Sequence, residues 1–315
     1  MSDKVLVQSR FSRALLARIG EQFDLLDAKG RDPSEAFARD DLAHVRALVT
    51  MGNAPFGGAE MDRLPSLKAI VCYGTGYDGI DLAAAAARGI AVGNSPAANA
   101  AAVADLAVTL MLAVTRRLLP ADDYVRSGGW AGAKPSPWLV AGPGNPGRKV
   151  GVYGIGEIGR KIAVRMAAFE CDVAYHSRSR HDLPYRYIDS LAALAGWCDV
   201  LIVAVRAGAD THHVIDAAML ERLGPQGYLI NISRGSVIDE AALTAALRNE
   251  TIAGAGLDVY ATEPHAPDAL TAFPNVVVTP HIGGHTADSH VAMQDCVIAN
   301  LRAALDGRPL PYAVA

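Results

Sequence analysis

The chain has 315 residues, 51% of them hydrophobic, with a formal net charge of −4 and a pI near 6.1. That length exceeds one typical domain and the apolar content suffices for two cores, while the charge offers no basic field for a nucleic-acid backbone and no like-charge block suggests a tail. Cys72, Cys171, Cys198 and Cys296 are scattered without a C-x-x-C pair, so no disulfide framework and no zinc site is indicated. The expected setting is a reducing cytoplasm, and the expected partners are small molecules or other proteins.

MSDKVLVQSR at the start carries charges on both sides of an apolar run too brief for a signal-peptide core, so no export is implied. Residues 4–9 read as a strand, Ser12 to Ile19 as a helix, and Val45 to Thr50 and Leu67 to Cys72 as further strands. The last of these runs into YGTGYDGID, Tyr73 to Asp81, whose glycines free backbone N–H groups at a strand's carboxyl end. Open parallel sheets bind ligands at that end, although an ordinary βα turn has the same composition. Leu82 to Arg88 continues as a helix and Ile90 to Val92 as a strand, and GNSPAAN after it is a candidate hinge.

Ala100 to Leu118 reads as one long helix with little polar face. Asp105 within it, and an apolar run shorter than about 18 residues, argue against a membrane span. Burial between lobes or between subunits is expected, with a subunit interface favoured. Ser127 to Gly147, rich in glycine, proline and tryptophan and without period, is a connector or a binding arm.

Lys149 to Gly159, KVGVYGIGEIG, is an apolar run that breaks into glycines and then into a helical pattern. Gly154, Gly156 and Gly159 stand in G-x-G-x-x-G order: the first for the turn, the second for close approach of a pyrophosphate, the third for packing helix on strand. With Glu157 and Ile158 they open a helix whose free N–H groups would face phosphates. Any tight βα turn can carry such glycines, so the next strand end has to decide whether they mean a dinucleotide. Helix Arg160 to Phe169 leads to strand Asp172 to His176 and then to Ser177, Arg178, Ser179 and Arg180. A site preferring NAD places a carboxylate about 20 residues beyond the glycines, on the ribose 2′-hydroxyl. Here the strand ends without one, and two hydroxyls with two guanidiniums suit a 2′-phosphate, so NADP(H) is expected over NAD(H). A solvated basic turn is the plain alternative.

Asp199 to Val205, Tyr228 to Ser233, Gly254 to Leu257 and Val276 to Thr279 are short apolar runs of the kind buried on both faces of a parallel sheet, with helices Ala217 to Leu223 and Glu240 to Asn249 between them. The expected fold is α/β, two Rossmann-like lobes with doubly wound parallel sheets. Residues 99–285 form the dinucleotide-binding lobe, and residues 1–98 with 286–315, including helix Asp288 to Leu305, form the other.

Three strand ends carry unusual polar residues: NISRG at Asn231 to Gly235, LDVYATEP at Leu257 to Pro264 and TPHIGG at Thr279 to Gly284. Arg234, Glu263 and His281 should therefore converge near a nicotinamide. Arg234 can hold a carboxylate or polarise a ketone without losing its charge. His281 can supply the proton that reaches oxygen as hydride reaches carbon, and Glu263 can orient its imidazole. Taken singly, each has a bland reading, as a cap partner, a surface acid before proline and a satisfied turn histidine. His281 and His285 are spaced i, i+4, but Gly283 and Gly284 separate them and no H-E-x-x-H occurs, so no metal is expected.

Together, YGTGYDGID, VADLAVTLMLA, VGVYGIGEIG, NISRGSVIDEAAL, GLDVYATEP and TPHIGGHT resemble the D-isomer-specific 2-hydroxyacid dehydrogenases over nearly the whole chain. The resemblance implies a flavodoxin-like substrate lobe split between the termini, a nucleotide lobe between them, and homodimers built on the long helix and the loop after it. It implies that Arg234 binds substrate and that His281, paired with Glu263, is the acid/base. By the same resemblance Asp258 holds the cofactor carboxamide, Gly283 lies at the cofactor, and the N–H groups of Thr75 and Gly76 hold the substrate carboxylate.

Glu263, where the formate-oxidising branch has glutamine, points to a hydroxyacid enzyme. SRSR and the pattern from Gly128 to Trp138 resemble glyoxylate and hydroxypyruvate reductases, which prefer NADPH, and Trp130 or Trp138 would reach a partner subunit. RAGADT at Arg206 to Thr211 departs from the family's proline-bearing loop and makes Arg206 a candidate cofactor contact. Asp105 stands where the family has glutamate. The expected activity is NADPH-dependent reduction of small 2-oxo acids to D-hydroxy acids. The alternatives are larger acids such as phenylpyruvate, or a non-enzymatic nucleotide-sensing protein like the corepressors among the family's relatives.

Overall fold

Short apolar runs alternating with helical patterns require parallel strands joined by crossovers, because consecutive parallel strands need an intervening segment that packs back on the sheet. The computed structural model describes residues 4–131 and 144–314, and the chain divides into two units, residues 1–99 with 284–315 and residues 100–283. The first contains β1 (Lys4–Val7), α1 (Arg13–Gly20), β2 (Asp24–Asp27), α2 (Pro33–Ala36), α3 (Arg39–Ala43), β3 (Val45–Thr50), α4 (Gly58–Asp62), β4 (Ala69–Cys72), α5 (Leu82–Ala87) and β5 (Ala91–Gly93). The second runs through α6 (Ala100–Thr115), α7 (Leu118–Arg126), β6 (Lys149–Tyr153), α8 (Glu157–Ala168), β7 (Asp172–His176), β8 (Arg186–Tyr187), α9 (Leu191–Trp197) and β9 (Val200–Val203). It continues with α10 (Ala217–Leu223), β10 (Tyr228–Asn231), α11 (Glu240–Arg248), β11 (Gly254–Leu257), α12 (Asp268–Thr271) and β12 (Val276–Val278), after which α13 (Ala287–Leu305) returns to the first unit.

In the first unit the sheet order is β2-β1-β3-β4-β5, all parallel, the flavodoxin-like order. Leu15 and Ile19 of α1 and Met293, Val297 and Leu301 of α13 cover one face, and Met61 and Ala85 cover the other. The second sheet, β12-β11-β10-β9-β6-β7-β8, is the Rossmann order extended by one strand, and it reverses between β6 and β9. Helices α6 and α8 pack on one face through Leu110, Met111, Ile162 and Met166, and Leu194, Leu220 and Leu243 cover the other. Truncating a fully buried side chain such as Ile162 to Ala would cost about 2–5 kcal/mol. Gly256 of β11 admits α6 closely, since a Cβ there would lie 3.0 Å from Leu110 Cβ.

Two local features differ from the expectation. The long helix ends at Thr115, because Arg117 adopts a left-handed φ of 51° that interrupts it, and α7 starts at Leu118 with Leu118 and Leu119 exposed. Strands β2 and β8 add an edge to each sheet from segments with little apolar patterning. Asp105 is exposed on α6, and its carboxylate accepts from Arg165 Nε of α8 at 2.6 Å. Among the described residues no helix is long and apolar enough to cross a membrane.

Candidate active site

The glycine turn follows from contacts that exclude a side chain. Gly154 has a φ of 96°, and a Cβ there would lie 2.7 Å from the Ala204 carbonyl oxygen at the end of β9. At Gly159 a Cβ would lie 1.9 Å from the Gly154 carbonyl oxygen, so only glycine lets α8 start against the turn. Gly156, by contrast, faces open space, with no atom within 4 Å of the point where a Cβ would stand. It is the N-cap of α8 and offers no side chain to the first-turn N–H groups, where Glu157 is exposed and Ile158 half-buried. Those N–H groups and the positive end of the helix dipole favour an anion.

Beyond β7, Arg178, Ser179 and Arg180 are exposed, and neither guanidinium has an acceptor among the described residues. The Ser177 hydroxyl donates to the Ser179 carbonyl at 2.6 Å, so it braces the loop. Arg206 is exposed beyond β9, in a loop closed by the Thr211 hydroxyl, which donates to the Arg206 carbonyl at 2.9 Å. These two loops flank β6, and β6 and β9 border the switch point where doubly wound sheets bind ligands.

Arg234, Glu263 and His281 follow the carboxyl ends of the neighbouring strands β10, β11 and β12. Fully buried Asn231 shapes the first turn: its Oδ1 accepts from the Ser233 N–H and hydroxyl, and its Nδ2 donates to the Arg234 carbonyl at 3.0 Å. Gly235 lets that turn press on the next segment, since a Cβ would lie 1.8 Å from the Tyr260 carbonyl carbon. Tyr260 in turn donates its hydroxyl to the Thr279 carbonyl at 2.9 Å, tying the second strand end to the third. Burial pushes the Tyr260 phenol up to about 12, which keeps it a donor.

Asp258, 1% exposed, completes the frame. Its Oδ1 accepts from the Thr279 hydroxyl at 2.6 Å and the Ile282 N–H at 2.8 Å, and its Oδ2 accepts from the Gly283 N–H at 2.9 Å. Between these anchors His281 is held at a left-handed φ of 54°, a conformation that costs an L-residue on the order of 1 kcal/mol. The imidazole Nδ1 lies 2.7 Å from Glu263 Oε2, and Glu263 Oε1 accepts from the Tyr260 N–H at 3.2 Å. Burial pushes the Glu263 carboxyl up, but the hydrogen bond and charge of His281, the Tyr260 N–H and the charge of Arg234 outweigh it and hold Glu263 below the ordinary carboxylate value. With Nδ1 directed to a carboxylate, Nε2 is the nitrogen left to exchange a proton. The His281 side chain is 43% exposed. A cavity of about 270 Å³ lies against the pair, walled by Pro264, Ala266, Val278 and Pro280.

In the other unit, the loop after β4 is fixed through its carbonyls. The Gly74 carbonyl accepts from the Ser95 N–H at 3.0 Å, the Thr75 carbonyl accepts from Asn94 Nδ2 at 2.8 Å, and the Thr75 hydroxyl donates to Asn99 Oδ1 at 3.0 Å. The N–H groups of Thr75 and Gly76 have no acceptor among the described residues. Trp130 is exposed at the end of the α7 region, and Trp138 lies outside the described residues. Sequence reasoning missed the bracing residues Asn231, Tyr260 and Thr279, whose only signal was a polar or aromatic residue at the end of a buried run.

Residues 108–283 match the model of the NAD binding domain of D-isomer specific 2-hydroxyacid dehydrogenases. The chain is 36% identical over 307 residues to hydroxyphenylpyruvate reductase of Plectranthus scutellarioides, with 97% of each chain covered. It is 41% identical over 258 residues to 2-ketogluconate reductase of Gluconobacter oxydans, with 82% of each covered. Among solved structures it is similar to the NADPH-dependent glyoxylate/hydroxypyruvate reductase of Sinorhizobium meliloti in complex with NADP and malonate, at a TM-score of 0.92 and 39% identity, covering 100% of this chain and 97% of that one. With a family model spanning over half its length and relatives of this identity along nearly all of it, the chain belongs to the D-isomer-specific 2-hydroxyacid dehydrogenases and is an NAD(P)-dependent oxidoreductase.

Proposed function

We propose that the protein reduces small 2-oxo acids, glyoxylate and hydroxypyruvate first among them, to D-2-hydroxy acids, with NADPH preferred and NADH as the lesser reductant. The observation that carries the reaction is the Glu263–His281 pair at 2.7 Å beside Arg234 on adjacent strand ends. The similarity to a structure that holds NADP and malonate, a small dicarboxylate, supports the cofactor and the substrate size.

The chain's own residues fit such a cofactor. Gly156 leaves space for a pyrophosphate over the uncapped N–H groups of α8, with Gly154, Glu157, Ile158 and Gly159 forming the rest of the turn. Arg178, Ser179 and Arg180 take the 2′-phosphate, with Ser177 bracing them, and Arg206 lines the opposite side of the cofactor crevice. Asp258 and Gly283 lie toward the carboxamide. When bound, the nicotinamide supplies the hydride to the substrate carbonyl carbon. The N–H groups of Thr75 and Gly76 hold the substrate carboxylate, and Arg234 polarises the ketone. His281 gives the Nε2 proton to the developing alkoxide, and Glu263 stabilises the charged imidazole before that transfer. The active form is a homodimer in the cytoplasm, and the exposed Leu118, Leu119, Val125 and Trp130 in and after α7 support the dimer.

A second reading, reduction of larger 2-oxo acids such as phenylpyruvate, is favoured by the similarity to hydroxyphenylpyruvate and 2-ketogluconate reductases. The test is oxidation of NADPH and NADH with glyoxylate, hydroxypyruvate, phenylpyruvate and 2-ketogluconate. Highest kcat/KM for glyoxylate or hydroxypyruvate with NADPH supports the first reading, and highest kcat/KM for a larger acid supports the second. No turnover with any acid overturns both.

A further inference from the structure

The exposed arginines after β7 rest on a buried frame. Tyr175, the penultimate residue of β7, is fully buried. Its hydroxyl makes two bonds, both to the main chain of His181: it accepts from the His181 N–H at 2.9 Å and donates to the His181 carbonyl at 2.9 Å. At the near end of the loop, the Tyr187 hydroxyl of β8 donates to the Ser177 carbonyl at 3.4 Å. The His181 ring also meets α8, with Nδ1 3.1 Å from Arg160 Nη2. The chain is therefore pinned at Ser177 and again at His181, and the three residues between the pins are the exposed Arg178, Ser179 and Arg180.

Two guanidiniums on an unfixed loop would have to be ordered each time a phosphate bound, which weakens binding, whereas a loop with both ends fixed is already ordered. The aromatic floor of this frame, with His176 stacked between Tyr153 and Tyr187, brings no carboxylate to the end of β7 that would repel a phosphate. We propose that Tyr175 is a positioning residue for the 2′-phosphate of NADPH: by clamping both main-chain groups of His181 it holds the backbone of residues 177–180 in the form that presents Arg178 and Arg180, and so sets the preference for NADPH over NADH. The inference rests on the assignment of that loop to the 2′-phosphate.

The test is Tyr175→Phe in the full chain, which keeps the ring and removes the hydroxyl, beside the double variant Arg178→Ala, Arg180→Ala. Affinities for NADPH and NADH are measured by titration of nucleotide fluorescence. Tyr175→Phe should weaken NADPH by about tenfold while NADH changes by less than about twofold, with KM for NADPH raised and kcat at saturation nearly constant. If the double variant abolishes the preference and Tyr175→Phe keeps it, the loop assignment stands and the role of Tyr175 is overturned. If the double variant also keeps the preference, the phosphate is held elsewhere and both fall. Hydrogen exchange on the wild-type chain gives a reading that no variant's folding can obscure. The His181 amide should be protected like those of β7, and exchange at the rate of an open loop overturns the clamp.

Discussion

Glu263 Oε2 stands 2.7 Å from His281 Nδ1, and the two residues reach that distance from different strand ends, one after β11 and one after β12. The intervening backbone is fixed by Asp258 and Tyr260, so the protein's own hydrogen bonds hold the pair in place. The proposed proton delivery requires a pair held in this way, because reorganisation at the moment of transfer would raise the barrier.

Replacing His281 by Ala should lower turnover by a factor of order 10² to 10⁴ with little change in the affinity for NADPH, the usual contribution of a general acid. Steady-state kinetics with a titration of NADPH binding checks both halves. Turnover at the wild-type level would remove His281 from the chemistry.

Glu263 ties the same pair to pH. Its carboxyl is held below the ordinary value of 4.5, so the unfolded chain binds its proton more readily than the folded one. The stabilisation by His281, the Tyr260 N–H and Arg234 is therefore fully present above that ordinary value and is lost as pH falls through the lower folded value. Glu263→Gln does not titrate. The wild type should be more stable than this variant from neutral pH down to the ordinary carboxylate range, and the gap should close in more acid solution. Urea unfolding of both proteins across that range reads it, and a gap that widens toward acid would reverse the sign of the argument.

Much of this architecture was legible because parallel strands buried on both faces leave continuous apolar runs, as in β9 and β10, and because Gly154 and Gly159 of the β6 turn are imposed by contacts only glycine tolerates. The edge strand β2, DLLD, has two apolar residues between acids and carries no such run. The break at Arg117 was hidden because LAVTRRLL keeps a helical pattern across the residue whose left-handed backbone separates α6 from α7. At the site, the residue types at the strand ends indicated Arg234, Glu263 and His281. A carboxylate such as Asp258 reads the same in sequence whether it accepts from a ligand or from its own chain. Only the structure gives it three protein donors.

Gly156 and Gly159 lie three residues apart in one motif, yet their surroundings predict opposite failures. A methyl at Gly159 would meet the Gly154 carbonyl oxygen at 1.9 Å, which neither the turn nor the buried start of α8 accommodates without moving backbone. Gly159→Ala should lower stability by about 1–3 kcal/mol or more, as overpacking against rigid groups does, and lose NADPH affinity with it. At Gly156 the backbone is extended, with φ −70° and ψ −163°, which any residue adopts, and the added methyl meets nothing. Gly156→Ala should therefore unfold at the wild-type temperature while binding NADPH and NADH about tenfold or more weakly, because the methyl occupies the space a pyrophosphate needs. Thermal unfolding and nucleotide titration of the two variants separate these effects. Wild-type affinity for both nucleotides in Gly156→Ala would mean that the pyrophosphate does not cross this turn.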